Sequence, residues 1–388
     1  MQTSLLRAFA AAGAALFLLS ACRGTSAGGF APPSTLQQKV QFAYSWPHEL
    51  KPTPVPTIPP SQLPVLTDTD PSTGGVFLGE VCDGTIRVQC PTYSTYFRRT
   101  IALGVIFADW NVDMAYFIKS QGLDYWKRLG IVPEITWQPH GISYADINNG
   151  LWDSYLKLSA HEMLAYGAPI FVRPFHEFNN PGEPWSLPKQ GANAAADAAF
   201  IAAWQRMVTI FRAAGASNVK FVWCYSAGEL TWAKNNTWDL PASAYPGDDY
   251  VDWISFDTYQ RGNRLTGKPW LDFDQISFAS YKTAVTISPA KPVSISEIGA
   301  TEWGDGGRRK AQWLEQMLFE LSLPAPYNRY PNLRLISYYD SDAHGWAYKL
   351  RTSRRSYYTW TNAIRSRSSA GTLNFRSNPA ALLNVTVP

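Results

Sequence analysis

Two glutamates close otherwise apolar runs: Glu177 in Arg173-Pro174-Phe175-His176-Glu177-Phe178-Asn179, and Glu297 in Ser296-Glu297-Ile298-Gly299. A carboxyl at the end of a buried run is costly to desolvate and needs a reason to be there. Two at one site can divide labour, one protonating a leaving oxygen while the other attacks or activates water, which is what hydrolysis of a glycosidic bond requires. The chain contains His-Glu a second time, as His161-Glu162 beside Met163 and Leu164. That pair falls within a helical pattern and is read as structural or solvent-facing.

The elements that must position the glutamates recur from residue 75 onward. Eight short apolar runs, Val76 to Val81, Ile101 to Phe107, Val132 to Trp137, Ile170 to Phe175, Val219 to Tyr225, Val251 to Phe256, Val293 to Ile298 and Leu333 to Tyr339, read as parallel strands covered on both faces. Helical periodicity lies between them at 151–166, 194–214 and 307–322, the first with Leu151, Tyr155, Leu158, Glu162 and Ala165 on one stripe. Gly215 supplies a stop for the second. Eight strands alternating with helices predict an α/β fold, a (β/α)8 TIM barrel over 75–388. A doubly wound sheet lacks its glycine fingerprint here. In a barrel the strand ends carry the chemistry, and both glutamates, on the fourth and seventh runs, are at such ends.

Of 388 residues, 46% are hydrophobic, 14% aromatic and only 16% charged, which excludes disorder over most of the chain. A net charge of +4 is too mild for a nucleic-acid partner. Sixteen tryptophans fill a core or line a cleft for something flat and uncharged. Residues 1–21 read as a secretion signal, with Arg7 before an apolar stretch too short to span a membrane. It ends Leu19-Ser20-Ala21-Cys22, resembling a bacterial lipobox, so Cys22 is the expected lipidation site and the protein an exported, membrane-anchored lipoprotein. Residues 22–74 hold ten of the 28 prolines and read as a tether. Cys82 and Cys90 flank Gly84 and are a candidate disulfide; Cys224 is a buried core residue.

At this level of detail the segments resemble glycoside hydrolase family 26. The matching pieces are Ile135-Thr136-Trp137-Gln138-Pro139, Gly150-Leu151-Trp152-Asp153, Arg173 through Asn179, Tyr250 through Trp253 with Asp257-Thr258-Tyr259, and Ser296 through Gly299. The resemblance implies a (β/α)8 retaining enzyme acting mostly on β-1,4-mannan, with Glu177 as acid/base and Glu297 as nucleophile. It also implies Tyr259 as the donor beside the nucleophile, His176 as a contact of the sugar next to the scissile bond, and no cofactor or metal. A retaining pair should stand about 5–5.5 Å apart, against about 6.5–9.5 Å for inversion. Trp137, Trp185, Trp303 and Tyr339, with Arg173 and Asn179, complete the expected substrate-binding set. Trp126, Trp204 and Trp313 lie on helix faces and belong to the core.

The pattern is not followed everywhere. Asn179-Asn180-Pro181-Gly182-Glu183-Pro184-Trp185 is longer than the family's short Asn-Gly passage, and the eighth run ends Tyr338-Tyr339-Asp340, reaching a tryptophan only at Trp346. Mixed-linkage β-glucan, xylan or a bacterial exopolysaccharide therefore stand beside mannan. Gly141-Ile142-Ser143-Tyr144-Ala145 lacks the last glycine of a serine-hydrolase elbow. His140, His176 and His344 have no spacing with carboxylates that would support a metal deacetylase. A non-catalytic sugar-binding barrel would be favoured by loss of either glutamate, and both are present. The expectation is a monomeric, endo-acting retaining glycosidase.

Overall fold

The computed structural model describes residues 76–82, 101–227, 241–262, 267–321, 323, 327–341, 346–365 and positions 382, 383, 385 and 387. The signal and tether readings, Cys22, Cys90 and His344 lie outside the described residues. Eight parallel strands close into one barrel in chain order: β1 Phe77–Val81, β2 Leu103–Asp109, β3 Val132–Gln138, β4 Ile170–Pro174, β5 Val219–Ser226, β6 Trp253–Gln260, β7 Val293–Ala300 and β8 Leu333–Tyr338. The eight apolar runs are these strands. The helices outside them are α1 Met114–Ser120, α2 Leu123–Leu129, α3 Tyr144–Asn148, α4 Asp153–Tyr166, α5 Ala194–Ala213, α6 Phe273–Ile287, α7 Arg308–Leu321 and α8 Arg354–Arg365.

Local chemistry sets the helix starts. The side chains of Asp113 and Asn193 cap α1 and α5, and Asp272 with Gln275 forms a capping box on α6. Ser143 forms the same device with Asp146 on α3, so the serine of the elbow-like segment is a helix cap. Glu162 accepts from the backbone N–H groups of Met114 and Ala115, both at 3.1 Å, tying α4 to the start of α1. The inward stripe of α4 differs from the one expected. Leu156, Ser159, Ala160 and Met163 are buried, whereas Leu151 and Leu158 are 71% and 52% exposed, because the helix begins at Asp153 and its core face follows that phase.

Strand alternation divides the core in two. Outward side chains pack under the helices, where Trp126, Trp204 and Trp313 are buried as expected. Inward ones fill the barrel, with Phe77, Leu103, Phe171, Val222, Trp253 and Leu335 forming an apolar base in which Phe171 and Trp253 meet at 5.4 Å between centroids. Burying each such side chain contributes roughly 1.5–3 kcal/mol. Two residues further along the same strands the inward positions turn polar, to Arg173 on β4 and Ser255 then Asp257 on β6. Cys224 is buried and free, and Cys82 is buried and disulfide-bonded.

Candidate active site

Arg173 organises the C-terminal mouth of the barrel. Above the apolar base, it is fully buried, and its guanidinium reaches five side chains, one of them Cys224, whose Sγ is 3.7 Å from Nη1. Nη1 donates to both carboxylate oxygens of Asp257, at 2.9 and 2.7 Å, and Nη2 to Oε1 of Glu297 at 2.6 Å. Thr136 accepts from Nη2 and Nε at 2.7 and 3.0 Å, and Glu134 lies 3.2 Å from Nε. Burial works against the cation, but Asp257 and Glu297 outweigh it and hold Arg173 in its charged form. A guanidinium clamped this way has nothing left for substrate. Arg173 is therefore a positioning residue, not the sugar contact expected from its place in the motif.

Glu297 reaches this network through an irregularity. Ser294 of β7 pairs with Ser255 and Glu297 with Asp257, so three steps on β7 face two on β6. Against β8 the same excess appears, Ile295 to Ile298 facing Ile336 to Tyr338. The extra residue is a β-bulge, a device that re-aims a side chain beside an active site. With it, Ser296 faces Ser255 inside the barrel, 2.7 Å between hydroxyl oxygens, and Glu297 also points inward. Tyr259, inward on β6, donates its hydroxyl to the second oxygen, Oε2. Both oxygens of Glu297 are thus held by donors from two other strands.

Glu177 is set by the backbone after β4. Phe175 and Glu177 have φ of 51° and 50°, left-handed values rarely taken by residues with side chains and often found at functional sites. Phe175 turns outward against Trp110, Tyr144 and Phe200, and the Glu177 N–H donates to the Cys224 carbonyl at 3.0 Å. Burial, with Glu297 nearby as the second cause, raises the Glu177 carboxyl to about 7, although Asn180 donates to its Oε2 at 2.5 Å. Burial also raises Asp257 and Glu134, with Arg173 only partly offsetting it.

The other expected contacts divide. His176 is buried, and burial, then Arg173, lowers its pKa well below the usual range, so its imidazole is neutral. Its Nδ1 has no hydrogen-bond partner among the described residues. Trp185 is buried beside it, 5.1 Å between rings, and donates its indole N–H to the His176 carbonyl at 2.8 Å. Tyr339 is inward above β8, edge-on to Tyr259 at 5.6 Å. Trp303 is covered on one face by the Arg309 guanidinium at 4.2 Å and meets Trp270 edge-on. His140 pairs with Asp109 at 2.9 Å.

Two expected sugar contacts are elsewhere. Trp137 follows Glu134 and Thr136 in strict alternation and faces away from the barrel interior, buried against Trp110 at 4.9 Å and Phe211 of α5 at 6.0 Å. Asn179 is buried with both amide atoms engaged, donating to the Ser226 carbonyl at 3.0 Å and accepting from the Ser226 N–H at 2.7 Å. It locks the loop after β4 to the end of β5. Conversely, Tyr348, unmarked in the sequence, packs on Tyr259 at 5.0 Å between centroids and Tyr339 at 5.9 Å. Gly299 permits this, since a Cβ there would lie 3.0 Å from the Tyr348 ring. Asp257, Glu134 and Glu183 were also not assigned roles; for the first two, inward strand position next to an arginine is the signal.

The model of Glycosyl hydrolase family 26 matches residues 134–299, a stretch running from Glu134 through Glu297. Endoglucanase H of Acetivibrio thermocellus is 31% identical over 267 residues, which is 68% of this chain and 27% of that protein's own length. Among solved structures, the GH26 domain of an endo-beta-mannanase/endo-beta-glucanase from Prevotella bryantii superposes with a TM-score of 0.50 at 14% identity, covering 77% of this chain and 93% of that one. A Bacillus subtilis mannanase superposes with a TM-score of 0.52 at 14% identity, covering 79% and 90%.

Proposed function

This chain belongs to glycosyl hydrolase family 26, and on that premise we propose that it is an endo-acting glycosidase that cleaves a β-linked polysaccharide with retention, through Glu177 and Glu297. The observation that carries the reading is the contrast between the two carboxyls: Glu297 is held on both oxygens by Arg173 and Tyr259, while the half-buried Glu177 has its carboxyl raised to about 7 by desolvation and the nearby Glu297. In the first step a Glu297 oxygen bonds to the anomeric carbon as the glycosidic C–O bond breaks, and Glu177 gives its proton to the departing oxygen. In the second, Glu177 takes a proton from water, which attacks the same carbon and returns Glu297 as a carboxylate. His176, neutral and with its buried Nδ1 unpartnered among the described residues, is assigned the contact with the sugar beside the bond.

Mannan is the substrate that the motifs suggest. A second reading, a β-glucan, draws on the name of the 31% identical relative, although that name covers a protein of which the match spans about a quarter. Reducing-end release is to be measured on mannan, galactomannan, lichenan, xylan and laminarin. Glu297→Gln and Glu177→Gln should each lower kcat by about 10²–10⁴-fold or more, and Glu177→Gln should keep more activity on an aryl glycoside whose leaving group needs no proton. Full activity in either variant sinks the mechanism. Since Glu177 must be protonated for the first step, kcat/KM should fall as pH rises through about 7.

The exported, lipid-anchored form, with Cys22 acylated, remains part of this proposal; mass spectrometry of the membrane fraction, wild type against Cys22→Ser, is its test.

A further inference from the structure

The loop that leaves β4 carries a carboxyl that the double displacement does not use. Glu183 lies in the turns between Glu177 and Trp185 and is 6% exposed. Asn180 joins it to the catalytic residue: the Asn180 carbonyl accepts from the Glu183 N–H at 2.9 Å, and the Asn180 side chain donates to Glu177. Asn180 Oδ1 in turn accepts from the Gly182 N–H at 2.9 Å, so the turn that carries Glu183 is fixed to the acid/base. No hydrogen bond from the Glu183 carboxyl to any other side chain or backbone group occurs among the described residues. The charged groups acting on it are Glu177, Glu297 and Arg173. Burial first, then the two catalytic carboxyls, push it up to about 9, with Arg173 opposing. At neutral pH it is therefore an uncharged acid with a proton to donate and no hydrogen-bond partner among the described residues.

A largely buried carboxyl that has no protein partner among the described residues and whose oxygens are not sealed from solvent, held next to a catalytic pair, is fit to receive a partner from the ligand. A sugar hydroxyl supplies both an acceptor and a donor, matching the O–H and C=O of a neutral carboxyl. Resting on the glycosidase reading above, we propose that Glu183 is a sugar-binding, specificity-determining residue of the cleft, holding the substrate beside Glu177 through a hydroxyl group. It occupies the passage in which this chain departs from the family's pattern, where a residue that selects among sugars would differ between relatives.

The test separates the neutral donor from a packing role. Mannopentaose and cellopentaose are titrated calorimetrically into Glu177→Gln, which cannot turn them over, from about pH 6 to about pH 10. The better ligand should lose affinity about tenfold across the upper part of that range as Glu183 ionises, and the loss should vanish in Glu177→Gln/Glu183→Gln, whose amide donates at every pH. In the otherwise native enzyme Glu183→Ala should raise KM about tenfold with a smaller change in kcat, and Glu183→Gln should restore it. A pH-dependent loss that persists with Gln at 183, or a KM in Glu183→Ala within about twofold of native, overturns the role of Glu183 alone. Failure of both oligosaccharides to bind any variant overturns the mannan and β-glucan readings and this role with them.

Discussion

β3 and β7 each bring a residue of suggestive type to the C-terminal end of the barrel, and only one of them reaches the cleft. On β3 alternation is unbroken: Glu134 and Thr136 meet Arg173 inside, and Trp137 faces the helices among Trp110 and Phe211. The same rule applied to β7 would put Ser294 and Ser296 inside and send Glu297 outward with Ile295. One additional residue in β7 breaks the alternation and brings Glu297 onto Arg173 and Tyr259. Strand-end position therefore selects candidates, but register decides which face they take. A tryptophan with a helix layer to fill follows the regular pleat. A carboxyl that must face the cleft needs the bulge.

The two strand ends should respond to mutation in opposite currencies. Trp137→Ala removes a fully buried ring and should cost about 3–5 kcal/mol of stability by thermal or urea unfolding, while kcat/KM of the folded protein changes by less than about threefold. A large rise in KM with an unchanged melting temperature would break the comparison and return Trp137 to the cleft. Tyr259→Phe deletes only the hydroxyl that reaches Glu297. It should leave stability nearly intact and lower kcat about 10²-fold, the scale seen when one fixed donor is taken from an active site. Equal loss in kcat and kcat/KM would place the interaction in the transition state.

Much of the fold was legible because burial on two faces writes a continuous apolar run, and eight such runs were there to read. Glu177 and Glu297 stand out because charged residues at the ends of those runs are rare, whereas Tyr259 is marked only by the family resemblance. What remained hidden depends on phase or on contacts between distant strands. The stripe on α4 is hidden because Leu151 and Leu158 look apolar in sequence, yet the helix starts at Asp153 and leaves both in solvent. Arg173 and Asn179 belong to the right motif, but their donors are engaged by groups on β3, β5, β6 and β7 that no local spacing reveals. Glu183 sits in turns, where neither period applies. Tyr348 depends on a loop held from outside the barrel.

That loop offers the smallest and sharpest refinement of the β3 and β7 contrast, because it covers β7 at Gly299. Lys310 of α7 is fully buried and donates to the carbonyls of Ala347, Tyr348 and Lys349 at 2.9, 2.9 and 2.7 Å, and to Thr352 Oγ1 at 3.1 Å. Burial lowers its pKa to about 8, with Glu302 opposing, so at neutral pH it is an ammonium gathering the loop around itself. Held there, Tyr348 packs on Tyr259. Lys310→Met keeps the volume but removes the ammonium: the Tyr348 and Lys349 carbonyls keep the Tyr338 hydroxyl and the Thr352 N–H, the Ala347 carbonyl loses its donor, and Tyr348 should be held less firmly. KM should rise about tenfold while kcat, set by Glu297 and its donors on β4 and β6, falls by less. If kcat fell instead and KM held, the loop would be acting on the nucleophile itself, and Arg173, Tyr259 and the bulge would not be sufficient to fix it.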